Sequence, residues 1–371
     1  MINQKRLLQN FLRYVAVDSE TGDEAQMARL VGQELSDLGC ELLESDPQPG
    51  GSGANNVCAR LAGSISGPAI LLSAHLDTVV PGKGVRPILC EDGYLRSGGD
   101  TVLGGDDKAG VCAILEALHT IVENRLPHPT IEIVLTVREE SGLLGSKAVD
   151  FTRFLAREAF VLDSSGDVGT VMVGAPGQIK LLATVIGKAA HAGVAPEQGV
   201  SAIWVAAKGV AEMKLLRIDE ETTANIGTFT AVGPTNIVSD KVMIEAEIRS
   251  RNTEKLYAQA DHMARCLQDA CERFHARLEL SQQVSYLGYH HSEDAPLLRR
   301  VSGACRAIGV ECVFALSGGG SDANVMNQNG IHAVNLAVGM EKVHTTQEQI
   351  SLQNLERAAA LVLELMTRQE G

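Results

Sequence analysis

The sequence has little of what nucleic-acid binding requires. Of its 371 residues only 4% are aromatic, Trp204 is the single tryptophan, and the formal net charge is -14. Bases stack on aromatic side chains and phosphates are attracted to basic patches. The composition therefore argues against a nucleic-acid partner, and most of the negative charge is expected on a solvated surface.

Long apolar runs and closely paired cysteines are also missing. No stretch is long and apolar enough to cross a bilayer, and none of the eight cysteines stands in a Cys-x-x-Cys pair. We expect these cysteines to be buried free thiols. The first residues continue directly into an amphipathic helix without a signal-peptide core. These absences predict a cytoplasmic protein that does not bind membranes.

What the chain does contain is a series of acidic and histidine residues at the ends of apolar runs. A strand pattern leads into His75 and, two residues later, Asp77, so both should share one face. His75 can bind a metal ion through one ring nitrogen while Asp77 orients the imidazole. The other members of the series are Asp106, Asp107, Glu139, Glu140, Asp163 and His344. Functional sites in open α/β sheets form where successive strands end. The series therefore predicts that these residues come together in a single metal-binding site.

Two adjacent carboxylates, Glu139 and Glu140, follow the apolar run of residues 130–137. They would repel each other unless cations lie beside them. We therefore expect Glu140 to bind a metal ion and Glu139 to remain free as a general base. An isolated Glu-Glu pair is more often a solvated turn, and Asp106 alone would be a helix N-cap. The repeated placement favours the metal site over these alternatives.

The charges of the ligands favour two divalent ions over one. Asp106, Glu140 and Asp163 supply three negative charges and the two histidines none, so two divalent ions leave a net charge of plus one. A bridging hydroxide would neutralise it. Histidine and carboxylate ligands without thiolate favour zinc, with cobalt or manganese as alternatives.

Five motifs follow one another along the chain: AHLDT (74–78), GDDKAG (105–110), TVREESG (136–142), GKAAHAG (187–193) and GGSDA (319–323). In order and spacing they resemble those of the co-catalytic zinc peptidases of the peptidase T type, whose superfamily includes glutamate carboxypeptidase, acetylornithine deacetylase and aminoacylase. The resemblance implies that His75 and Asp163 bind one ion and that Glu140 and His344 bind the other. It also implies that Asp106 bridges the two ions.

The activity that this resemblance implies is that of a dinuclear exopeptidase acting on short peptides, most similar to a tripeptide aminopeptidase. Glu139 would take a proton from a metal-bound water molecule, which thereby becomes the bridging hydroxide. An N-acyl amino-acid deacylase or a glutamate-type carboxypeptidase on the same site is the alternative, and a non-catalytic metal-binding protein is a remote one. The chain has Ser321 where the peptidase T type carries threonine, and lacks the arginine before that loop. Substrate length and the terminus recognised therefore stay open.

The order of patterns predicts an α/β fold with an insertion. Alternating strands and helices over residues 1–176 indicate the first part of a catalytic domain with a mostly parallel sheet. One-sided strand patterns over residues 177–287 indicate a smaller inserted α+β domain, which the resemblance implies to be a lid and the contact surface of a homodimer. Residues 288–371 return to the catalytic domain, because His344 must rejoin the other ligands.

The inserted domain carries one catalytic candidate, His191, and two candidates for substrate binding, Asn236 and Arg249. By itself, His191 would be interpreted as a surface-loop histidine, but the resemblance implies that it polarises the scissile carbonyl, commonly in the site of the partner subunit. Asn236 could add a donor in the same way. Arg249 could hold a substrate carboxylate or form a cross-strand ion pair.

A glycine-rich loop supplies the last candidates, Gly319, Gly320 and Ser321. No Lys-Ser/Thr pair follows it, which disfavours a nucleotide-binding loop. Backbone amides presented to a substrate carboxylate are a better interpretation.

Overall fold

The computed structural model describes residues 1–44 and 53–368. The chain forms two compact units. Unit 1 consists of Met1–Gly174, His291–Ser317 and Ser321–Gly371, and unit 2 consists of Ala175–His290 with Gly318–Gly320. The predicted catalytic role of unit 1 stays a prediction. So do the predicted roles of unit 2 as a lid and as a dimer contact.

The α-helices in the described part of the chain are α1 (Gln4–Val15), α2 (Ala25–Asp37), α3 (Gly105–Asn124), α4 (Leu144–Ala148), α5 (Ala202–Ala211), α6 (Thr253–Arg273), α7 (Pro296–Ala307), α8 (Asp322–Gln328) and α9 (Leu352–Thr367). The strands are β1 (Glu41–Leu42), β2 (Val57–Leu61), β3 (Ile70–His75), β4 (Pro87–Leu89), β5 (Tyr94–Ser97), β6 (Ile131–Thr136), β7 (Glu158–Ser165), β8 (Thr170–Ala175), β9 (Gly177–Ile186), β10 (Leu216–Arg217), β11 (Thr222–Thr230), β12 (Lys241–Ser250), β13 (Arg277–Tyr286), β14 (Tyr289–His290), β15 (Val313–Leu316), β16 (His332–Glu341) and β17 (Gln349–Ser351).

Unit 1 is built on a large sheet whose centre is parallel. The strand order is β1-β2-β6-β3-β7-β16-β17-β5-β4. The four central strands, β6, β3, β7 and β16, run parallel to one another, and antiparallel strands flank them. Every residue of β3 and β6 is buried, as the uninterrupted apolar runs predict for strands covered on both faces. The predicted α/β fold with a mostly parallel central sheet is confirmed.

Helix α3 lies against this sheet and is buried along most of its length. It packs on β3 and β7 and also contacts α1 and α9. Gly110 permits the close approach, because a methyl group there would lie 2.6 Å from the carbonyl oxygen of Leu162 on β7. The first turn of α3 is thereby held near the ends of the central strands.

Unit 2 is a five-stranded antiparallel sheet in the order β10-β11-β12-β9-β13, with α5 and α6 packed on one face. Burial alternates along β9, where Leu181 and Ala183 are buried and Lys180 and Leu182 are exposed. This is the period-two pattern expected of a strand with one covered face. Residues 179–186 and 241–248 thus form the strands that their alternation predicts.

All eight cysteines are free thiols. The expectation that all are buried is wrong for Cys90, Cys266 and Cys312, which are only half-buried. Among the described residues, no helix combines the length and apolar character needed to cross a membrane.

Candidate metal centre

The six acidic and histidine side chains of the candidate site come from five places in unit 1. Glu139 and Glu140 follow the end of β6, His75 ends β3, Asp163 lies in β7, and His344 follows β16. Because parallel strands end at one edge of a sheet, these residues come together there. Asp106 joins them from the first turn of α3.

Asp106 lies between the two histidines. Its Oδ1 is 3.1 Å from Nε2 of His75, and its Oδ2 is 3.1 Å from Nε2 of His344. Nε2 of His75 is also 3.7 Å from Oδ1 of Asp163, and Nε2 of His344 is 3.0 Å from Oε1 of Glu140. One carboxylate therefore has each oxygen directed at a different imidazole, and each imidazole has a second carboxylate beside it.

Among the described residues, three groups of side chains could each hold a cation, and within each group the ligand atoms lie within 4.8 Å of one another. One of them is His75, Glu139 and Glu140. The other two match the predicted ligands: His75, Asp106 and Asp163 form one, and Asp106, Glu140 and His344 form the other. Imidazole nitrogen and carboxylate oxygen are donors that suit zinc, cobalt and manganese. Asp106 belongs to both of the groups that match the prediction, as a bridging ligand would.

The electrostatics of the cluster also fit bound cations. Hydrogen bonds to Asp106 and Glu140 raise the pKa of His344 to about 10. Burial opposes a charge on His75, but its carboxylate neighbours still hold its pKa well above the usual value. Burial raises the pKa of Asp163 to about 7. Closely spaced carboxylates beside two imidazoles form a negatively charged donor set, so the residues present fit divalent metal ions.

The two ends of the cluster differ in exposure. The His75 side chain is 2% exposed, whereas that of His344 is 53% exposed. Water can therefore reach the cluster from the side of His344.

Asp77 orients the site mainly through the backbone of its neighbours. Its carboxylate accepts hydrogen bonds from the amides of Glu139 at 2.9 Å and Glu140 at 3.2 Å, and from Thr21 Oγ1 at 2.8 Å. Nδ1 of His75 lies 2.9 Å from the carbonyl oxygen of Asp77 and 3.6 Å from its carboxylate. The imidazole is thus held by the Asp77 carbonyl, while the carboxylate holds the Glu139-Glu140 turn.

Glu139 lies beside the predicted ligands. The residue is buried, and its carboxyl group belongs with His75 and Glu140 to a group that could itself hold a cation, so its role as a free base stays a prediction. Burial, together with the nearby Asp163 carboxylate, holds the pKa of Glu139 well above its usual value. A carboxylate with a raised pKa accepts a proton more readily than an exposed one.

Three residues hold the predicted ligands through hydrogen bonds that the sequence did not indicate. Asn335 of β16 binds the backbone of Asp163 on both sides, accepting from its N–H and donating to its carbonyl. Asp107, in a motif that was recognised, is buried and accepts from the amides of His75 and Gly110. Glu348 accepts from the backbone of the Asp106 loop. Hydrogen bonds to distant backbone atoms have no local sequence signal.

In unit 2, His191 and Asn236 lie on paired segments. His191 forms an isolated β-bridge with Ile237, and the amide of Ala192 donates to the Asn236 carbonyl at 2.9 Å. Nδ1 of His191 accepts from the Gly193 amide at 3.2 Å. The ring proton of a neutral His191 therefore resides on Nε2, which is a hydrogen-bond donor.

Arg249 forms a bidentate ion pair with Glu247, at 3.0 Å and 3.1 Å. An ion pair is therefore present, but the partner lies two residues away on β12 and not on a neighbouring strand. Nη1 of Arg249 also donates to the carbonyl oxygen of Gly318 at 3.5 Å. A substrate carboxylate would have to compete with Glu247 for the guanidinium.

Local structure explains the presence of two residues of the glycine-rich loop, Ser321 and Gly320. Ser321 forms the capping box of α8, donating its amide to Oδ1 of Asn324 and accepting from the Ala323 amide. A methyl group at Gly320 would overlap the ring of Tyr286. The binding of a substrate carboxylate by Gly319, Gly320 and Ser321 stays a prediction.

Comparison with known proteins gives consistent results over nearly the whole chain. Residues 71–368 match peptidase family M20/M25/M40. An uncharacterised Bacillus subtilis protein, YqjE, is 44% identical over 367 residues, which are 99% of each chain. Peptidase T of an Exiguobacterium species is 24% identical, with 98% of each chain covered.

Two solved structures are similar to this chain in both fold and sequence. A tripeptidase from Staphylococcus aureus superposes with a TM-score of 0.94 and 40% identity, covering 99% of this chain and 98% of its own. An aminopeptidase PepT from Bacillus cereus superposes with a TM-score of 0.91 and 44% identity, with the same coverage.

Proposed function

The chain belongs to peptidase family M20/M25/M40 and is a hydrolase, and on that premise we propose that it is a metal-dependent aminopeptidase acting on tripeptides and other short peptides. The observation that carries the proposal is the position of Asp106, with one carboxylate oxygen 3.1 Å from each of two imidazoles. The similarity to a Staphylococcus aureus tripeptidase and a Bacillus cereus aminopeptidase supports the choice of substrate.

The chain would hold two divalent cations, with zinc favoured by the donor atoms. His75 and Asp163 would bind one and Glu140 and His344 the other, with Asp106 shared between them. Bound there, the cations would lower the pKa of a water molecule and polarise the scissile carbonyl.

Glu139 performs the proton transfers in this proposal. Its carboxylate takes a proton from the water that attacks the carbonyl carbon and returns it to the leaving amine as the C–N bond breaks. Asp77 keeps Glu139 in place through the hydrogen bond to its amide at 2.9 Å. His191 donates from Nε2 to the developing oxyanion, and unit 2 forms the contact of a homodimer.

A panel of substrates tests this function. With zinc, cobalt or manganese added, we expect a free tripeptide to yield its N-terminal amino acid and a dipeptide. N-acetylation should lower kcat/KM by roughly 10²-fold or more, because polar groups that recognise the amine would be left unpaired. A tripeptide amide, which keeps the amine, is the control and should still be cleaved.

Other outcomes of the same panel identify the alternatives. Faster hydrolysis of N-acetyl amino acids than of the tripeptide would indicate a deacylase. Release of the C-terminal residue, abolished in the tripeptide amide, would indicate a carboxypeptidase. Either result contradicts the proposed aminopeptidase.

A further inference from the structure

Glu348 lies four residues after His344 and is only 2% exposed. Both of its carboxylate oxygens are used. Oε2 accepts from the amide of Gly104 at 2.7 Å, and Oε1 accepts from the amide of Asp106 at 2.8 Å. A buried carboxylate therefore binds the backbone on both sides of Gly105, in the loop that carries Asp106.

The start of α3 needs such an acceptor. The first amides of a helix have no partner within it, and Gly104 provides no side chain to cap α3. Asp106 and Asp107 also depart from helical dihedral angles, with ψ of 102° and 32°. Regular helix geometry thus does not hold the backbone at Asp106, whereas Glu348 accepts hydrogen bonds from the amides on both sides of Gly105.

The loop is shaped around the Glu348 carboxylate. A methyl group at Gly105 would lie 3.0 Å from Oε1 of Glu348, tighter than an ordinary contact. A glutamine could accept from only one of the two amides through its single oxygen, and its NH₂ group would face the other. Holding both amides therefore requires a carboxylate, although a buried negative charge beside Asp106 is unfavourable.

Residues 344–348 contact both the side chain and the backbone of Asp106. His344 faces the Asp106 carboxylate at 3.1 Å, while Glu348 binds its amide at 2.8 Å. We propose that Glu348 is a positioning residue, which aims the Asp106 carboxylate so that each oxygen faces one of the two histidines. This inference rests on the proposed function, since it assumes that Asp106 is shared by two cations.

Cobalt titration of the metal-free full-length protein tests the inference. We expect the wild-type chain to bind two cobalt ions, and Glu348→Gln to bind them about 10- to 100-fold more weakly. The visible absorption of bound cobalt reports binding without reference to activity. Raising the cobalt concentration should restore part of the turnover of the variant, because in this proposal Glu348 acts only through the backbone of the Asp106 loop.

The matched control is Glu341→Gln. This change also removes one carboxylate of unit 1, but Glu341 is hydrogen-bonded to Tyr94 and Gln349 and not to the Asp106 loop. Its cobalt affinity should equal that of the wild type. If Glu348→Gln does not fold, Gly105→Ala is the second variant, because its methyl group displaces the same carboxylate without removing the charge.

The outcomes separate the two proposals. Two cobalt ions in the wild type with unchanged affinity in a folded Glu348→Gln or Gly105→Ala variant overturns the positioning role alone. A lower melting temperature of the metal-free variant with unchanged affinity shows a purely structural role and also overturns it. Fewer than two ions in the wild type overturns the proposed metal site, and the positioning role with it.

Discussion

Glu139→Gln should lower kcat on a tripeptide by roughly 10²–10⁴-fold while the protein retains both metal ions. The substitution keeps the size of the side chain, and the backbone bond from residue 139 to Asp77 is unaffected. The amide, however, cannot accept a proton from the attacking water. Steady-state kinetics together with elemental analysis of the same preparation measure both parts of this result.

Glu140→Gln is the contrasting variant, since Glu140 is the neighbour of Glu139 and lies 3.0 Å from His344. It should lose metal. If Glu139→Gln loses metal and Glu140→Gln keeps it, the division of roles between the two carboxylates is wrong.

His191→Ala should cut turnover by roughly 10²–10³-fold with both metal ions retained, because the oxyanion loses a hydrogen-bond donor. The donor is Nε2, since Nδ1 accepts from the Gly193 amide. His290→Ala is the matched control, as it also removes an exposed histidine of unit 2. Its turnover should stay at the wild-type level.

Mixing the two inactive variants shows which subunit uses His191. If His191 acts in the site of the partner, a mixed dimer of Glu139→Gln and His191→Ala chains has one intact site and regains activity. No recovery in subunits that are shown to exchange would place His191 in the site of its own chain or remove it from catalysis. Failure of the chain to dimerise would exclude action in the partner.

The fold could be predicted to a useful degree because its central strands carry strong patterns. The apolar runs before His75 and Glu139 form buried strands, and the alternation over residues 179–186 forms a strand with one exposed face. The order β6-β3-β7-β16 could not be derived in this way, since strand neighbours are set by packing between distant segments. The family predicted from five motifs is confirmed.

The candidate site was predictable where its chemistry lies in motifs at strand ends. Glu348 was not, because a glutamate in a polar segment looks like any surface acid. Its burial and its bonds result from contact with Gly104 and Asp106, more than 240 residues earlier in the chain. Arg249 shows a different difficulty. Its sequence pattern allowed either an ion pair or the binding of a substrate carboxylate, and the pairing with Glu247 now competes with the second role.

Anomalous diffraction from crystals grown with zinc would show whether two cations share Asp106. We expect two peaks per chain, one bound by His75 and Asp163 and the other by Glu140 and His344. Each zinc should lie about 2.0–2.2 Å from a different oxygen of Asp106. A single fully occupied peak, or two peaks that leave Asp106 uncoordinated, would show that two cations do not share this carboxylate.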